Sequence, residues 1–134
     1  MMNSTLTAFF TVTFILLTIG ACKKETEVVA ATPPTLNLTA PVGNEQLSND
    51  MTLKITGDIS DTKGLHTLTL KIVDDKTGNE LYKTTPTVLD LKTYALDASW
   101  KIKVNDWTDA TLTVTAANHN GMKTEKIVKF KIWL

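Results

Sequence analysis

From Tyr94 to Val104 every second residue is apolar or aromatic: Tyr94, Leu96, Ala98, Trp100, Ile102 and Val104. Side chains of an extended strand point alternately to opposite faces, so such a run has one face to bury and one to solvate. The same period recurs along the chain in shorter stretches. Leu36 and Leu38 begin it, and Met51, Leu53, Ile55 and Ile59 continue it, broken at Gly57, where a bulge or a close backbone approach is expected. Leu68, Leu70 and Ile72 come next, then a short strand at 81–83, the long run, Leu112, Val114 and Ala116, and finally Val128, Phe130 and Ile132. Turn-forming clusters separate them: Pro41 to Asn44, Asp61 to Gly64, Asp74 to Asn79 and Asn118 to Gly121. No window carries a capped helical stripe. The pattern predicts an all-β fold, a seven-stranded antiparallel sandwich over residues 35–134.

Ahead of that domain the chain changes character. Residues 1–21 contain no Asp, Glu, Lys or Arg, and Ala8 to Ile19 are apolar apart from Thr11, Thr13 and Thr18. The run is shorter than the ~20 residues a membrane-spanning helix needs, and it ends in small residues, as the apolar region of a secretory signal does. Ile19-Gly20-Ala21-Cys22 resembles the bacterial lipobox. The resemblance implies that the Cys22 thiol is alkylated with diacylglycerol, that the chain is cut after Ala21, and that the mature protein begins at the lipidated cysteine. No Lys or Arg precedes the apolar run, which departs from the usual signal. Lys23-Lys24-Glu25-Thr26-Glu27 is similar to the export tag of Bacteroidetes surface lipoproteins and implies an outer-membrane protein facing the cell surface. Residues 22–34 then read as the lipidated cysteine and a linker, closed by Pro33-Pro34, a pair that favours extended geometry.

Two segments inside the domain carry a further resemblance. Gly57-Asp58-Ile59-Ser60-Asp61-Thr62-Lys63-Gly64-Leu65 is similar to the turn that leads into the third strand of bacterial Ig-like domains. The stretch from Ala110 to Gly121 resembles their final hairpin. The resemblance implies an Ig-like sandwich and no particular activity. Asn118-His119 stands where many such domains carry Asp. The disulfide of antibody domains is also missing, because Cys22 is the only cysteine.

Fourteen Lys balance fourteen Asp and Glu, and there is no Arg. That balance gives no basic face for nucleic acid. His66 and His119 read as unpaired, and Ser48, Ser60 and Ser99 lie in no nucleophile context, so neither a catalytic constellation nor a cofactor site is expected. Calcium wants six to eight oxygens. Its weak candidates are Asp58 with Asp61, and Asp74 with Asp75, Asn79 and Glu80. The aromatics are richer. Trp100 alternates with core residues; Trp107 follows Asp106, either plugging one end of the sandwich or offering a ligand platform; Trp133, out of phase with Phe130 and Ile132, falls on the solvent face of the last strand or under a partner, and Tyr82 sits in a short peripheral strand, both as further platform candidates. The expected role is that of a monomeric, membrane-tethered module binding an envelope protein, or alternatively a glycan in an uptake system.

Cys22→Ser is expected to abolish acyl labelling and leave the precursor uncut. Mass spectrometry of the mature N-terminus checks this, and an unmodified Cys22 there would refute it.

Overall fold

Alternation in sequence becomes alternation in burial. In β3 (Thr52–Ser60) Leu53, Ile55, Gly57 and Ile59 are buried while Thr52, Lys54, Asp58 and Ser60 are exposed. In β6 (Thr93–Lys101) Leu96 and Trp100 are buried between exposed neighbours. The computed structural model describes residues 30–134, so Ile19, Gly20, Ala21 and Cys22 lie outside the described residues. Within them the strands are β1 (Thr35–Ala40), β2 (Gln46–Ser48), β3, β4 (Leu65–Asp74), β5 (Glu80–Thr84), β6, β7 (Thr108–Asn118) and β8 (Lys123–Trp133), with no helix.

These strands form two sheets, one ordered β1-β3-β6 and the other β2-β8-β7-β4-β5. The all-β expectation holds, with two corrections. There are eight strands rather than seven, and the sheets are not wholly antiparallel, because β2 runs parallel to β8, pairing Leu47 with Ile132 and Ser48 with Trp133. A three-residue strand is too short to show a period, and its partner lies more than eighty residues away. Met51, expected to face inward, is instead exposed just before β3, where its sulfur accepts a hydrogen bond from the Ser48 amide (3.3 Å).

One continuous core joins the sheets. Leu36, Leu53, Ile55, Ile59, Leu96 and Trp100 come from the first, and Leu68, Leu70, Ile72, Leu112, Val114, Phe130 and Ile132 from the second. Each fully buried Leu or Ile contributes about 1.5–3 kcal/mol. Direct cross-strand partners such as Leu53–Trp100, Leu70–Val114 and Ile72–Leu112 place these groups side by side on the inner faces.

Two glycines are required, Gly57 by contact and Gly64 by its backbone conformation. A Cβ at Gly57 would run into the backbone oxygen of Asn37, so β1 can approach β3 only over a bare backbone, and β1 shifts register between Leu38 and Ala40. Gly64 has φ +108°, and a Cβ there would stand 3.4 Å from the backbone of Asp90.

Trp100→Ala is expected to lower unfolding free energy by about 3–5 kcal/mol, the usual loss for truncating a buried large aromatic. Urea unfolding followed by circular dichroism measures it, and an unchanged midpoint would mean that Trp100 carries no packing load.

Candidate functional site

The domain has two chemically different ends, about 33 Å apart by the rise of β7 from Thr108 to Asn118. At the Asn118 end the chain arriving from the N-terminus is fastened to the body. Asn118 is 2% exposed, and its amide group is fully used. Its Nδ2 donates to the backbone oxygen of Thr32 (2.8 Å) and to Asp61 Oδ2 (3.0 Å). Its Oδ1 accepts from the amides of Asn120 and Met122 (3.1 Å each). One side chain thereby ties together the linker, the β3–β4 turn and the β7–β8 turn. A second tie runs from Thr124 Oγ1 to the Pro34 carbonyl. An Asp at 118 would set a second carboxylate against buried Asp61, which gives a physical reason for Asn at this position.

Asp61 is buried, and the hydrogen bond from Asn118, followed by those from the Lys63 and Gly64 amides, holds its carboxyl below the usual range. Asp58 is exposed on β3. Asp74 caps the β4–β5 turn through the Lys76 and Thr77 amides, and Thr77 foremost lowers its pKa. Asp75 accepts from Thr111 Oγ1 (2.6 Å). The acidic calcium candidates are thus engaged in turns and ties or stand alone. No group of three or more His, Cys, Asp or Glu among the described residues is arranged to hold a metal.

The histidines do meet. His66 and His119 have ring centroids 4.9 Å apart, and His119 Nε2 lies 2.8 Å from Asp90 Oδ1. This corrects the expectation that they are unpaired. The pairing depends on β4 lying beside β7, a neighbourhood that adjacent residues do not reveal. All three groups are exposed.

At the opposite end Trp107 and Trp133 come together, ring centroids 4.3 Å apart at 67°. Trp107 is 64% exposed, so it does not plug the sandwich. Trp133 is half-buried, and its indole Nε1 is buried without a hydrogen-bond partner. Asn49 lies between the two chain segments: its backbone amide donates to the Trp133 carbonyl (2.7 Å), and its Oδ1 accepts from the amide of Val104, three residues before Trp107 (2.9 Å). Across Trp107, the Thr108 hydroxyl donates to the Asp106 carbonyl (2.9 Å). Beside the pair Lys131 Nζ meets Asp109 Oδ1 at 2.7 Å. A recess of ≈ 100 Å³ lies between that bridge and the indoles, and beyond it runs an open groove of ≈ 490 Å³ lined by Asn44, Gln46, Asp75 and Lys129. Tyr82 does not join them. It pairs with Ile72 on the inner face and packs on Trp100 with ring centroids 6.1 Å apart.

No family model matches the chain, and no curated protein does. Among solved structures it is similar to the fibronectin(III)-like modules of Clostridium thermocellum CbhA, with 11% identity, TM-score 0.47, and 74% of this chain covered against 96% of that one. It is also similar to CopC from Methylosinus trichosporium OB3b, with 14% identity, TM-score 0.46 and coverages of 74% and 94%. A third likeness is to murine CRIg, with 14% identity, TM-score 0.45 and coverages of 76% and 98%. At TM-scores below 0.5 the two-sheet architecture rests on the chain's own strand pairing.

The depressed pKa of Asp61 has a fixed sign in stability. Its contribution is complete above the unfolded carboxyl value of about 3.9 and is lost as pH falls through the lower folded value. Asp61→Asn is therefore expected to be less stable than the parent at pH 7, with the gap narrowing below about pH 4. Urea midpoints measured between neutral and strongly acid pH check this. Asp74 is common to both proteins, so the difference isolates Asp61. A gap that stays constant across the range would show that the Asp61 charge is not what matters.

Proposed function

We propose that this chain is a lipid-anchored, surface-exposed Ig-like module that works by binding a protein of the cell envelope rather than by catalysis. The Ig-like assignment is supported by the grouping of β1, β3 and β6 against β4, β7 and β8, the division of strands found in Ig-like sandwiches. Anchoring is supported by the lipobox-like Ile19-Gly20-Ala21-Cys22.

The observation that carries the reading is the opposition of the two ends. The linker leading back to Cys22 is held at the Asn118 end, while the exposed Trp107 and its partner Trp133 occupy the other. A lipid on Cys22 then turns the indoles away from the membrane, where a partner can reach them. Trp is enriched in binding hot spots because a large rigid surface is buried there at little entropic cost. The two indoles already pack on each other, which limits the ordering cost of association further.

A second reading, a glycan ligand, is favoured by one specific feature. Trp107 offers a flat apolar face, and Asn44, Gln46, Asp75 and Asp109 nearby supply the amides and carboxylates that recognise hydroxyls.

Trp107→Ala is expected to reduce crosslinking of the mature protein to its envelope partner on intact cells by at least tenfold, the effect of removing a ~1.4 kcal/mol contact. The exposed position predicts an unchanged urea midpoint. A polysaccharide-binding screen with parent and variant is run in parallel. Unchanged crosslinking would refute the proposed site, and Trp107-dependent polysaccharide binding with no crosslinked protein would replace the partner by a glycan.

A further inference from the structure

The Asn118 end carries a surface that neither the core nor the Trp pair explains. The connection from β5 to β6 is anchored by Val88, which is 1% exposed, yet Leu89 (54%) and Leu91 (42%) turn outward on either side of Asp90. This segment is held firmly. The Leu91 amide bonds the Val88 carbonyl (3.0 Å), the Asp90 amide bonds the Leu65 carbonyl (2.9 Å), and the Leu65 amide bonds the Leu91 carbonyl (2.8 Å). Met122 (37%) is exposed on the neighbouring β7–β8 turn, fastened through Asn118. His119 bonds Asp90 and so links the two turns.

Three exposed lysines, Lys63, Lys92 and Lys123, project from this end without a carboxylate partner among the described residues. The nearby carboxylates keep their charge but are turned to other partners: Asp61 is buried on Asn118 and the Lys63 amide, Asp90 meets His119, and Glu125 accepts from Thr115. Lys63 and Lys92 also line the hollows beside Thr32, where the linker is held.

We infer that this end, through Leu89, Leu91, Met122 and the three lysines, rests on the lipid surface in which Cys22 is anchored. The inference rests on the lipid anchoring proposed above. Ten residues separate Cys22 from Thr32, and even fully extended they reach at most about 36 Å, close to the length of the domain itself. The anchor thus holds this end at high local concentration near the bilayer, so that weak contacts suffice. Apolar side chains on a stiff turn enter the boundary between headgroups and acyl chains, and lysines around them attract anionic headgroups. Docking in this way fixes the orientation that points Trp107 outward.

The test uses the mature lipidated protein in vesicles of phosphatidylethanolamine with about one third phosphatidylglycerol, a composition that presents the anionic headgroups the lysines attract. Because Cys22 is consumed by lipid, Leu89→Cys and, at the far end, Asp106→Cys each give a single thiol for an environment-sensitive fluorophore. The label at 89 is expected to be quenched by nitroxide-bearing lipids and the label at 106 is not. Replacing Lys63, Lys92 and Lys123 together by Glu is expected to reduce the docked fraction on the order of tenfold. In the protein with its lysines intact, about 1 M salt is expected to act in the same direction, which gives a measurement independent of that variant's folding. Equal quenching at 89 and 106, with the protein still floating with the vesicles, would overturn docking and leave the anchor standing. Failure to float would remove the anchor and the inference together.

Discussion

The two sheets of this protein are held together chiefly by side-chain burial, without a disulfide in the domain. The chain's only cysteine, Cys22, lies ahead of the domain, so no disulfide can shorten the unfolded chain and lend stability. What remains is the layer of Leu, Ile, Val, Phe and Trp between β1-β3-β6 and β2-β8-β7-β4-β5. Every inward residue must therefore be in register, since a slip of one position would carry a whole strand's apolar set to the solvent side. Gly57 shows how closely this is enforced. The inward face of β3 gives up a side chain there so that the backbone of β1 can come within contact distance.

Polar stitches then decide where the ends of this sandwich sit. Asn118 satisfies both of its amide hydrogens and its side-chain oxygen within the body, and in doing so joins the linker to two turns. Asn49 does similar work at the other end, bonding the two chain segments that carry the Trp pair. Both asparagines bridge segments far apart in sequence. The amide of Asn118 is buried, and losing its partners would leave unsatisfied polar groups at a cost of about 1–3 kcal/mol, so it fixes local geometry strongly. The polarity of the domain, linker at one end and indoles at the other, follows from the antiparallel course of β7 and β8 and from the tie at Asn118.

Much of this was legible along the chain. The inward phase of Trp100 with Leu96 and Ile102, the close approach at Gly57, and the positive-φ turn at Gly78 all follow from local rules of strand and turn geometry. Other features were not. β2 is too short for a period and pairs with the far end of the chain, and Met51 sits one residue outside the strand whose pattern it continues. Tyr82 reads as peripheral because its strand is short, and β5 is indeed an edge strand. An edge strand still has an inner face, however, and Tyr82 uses it against Trp100.

What the sequence determined by itself is whatever depends on neighbours one or two positions away: seven of the eight strands, most of their buried faces and the turns, together with a domain that holds no cysteine. Only the tertiary structure decided which distant residues meet. His66 reached His119 and Asp90, Trp107 reached Trp133, and Asn118 reached Thr32 through strand order and register. The physical reason is that a period of two tells a strand which face to bury and says nothing about its partner. Partner choice is settled by the fit of the entire core and by the few polar groups that must find one another inside it.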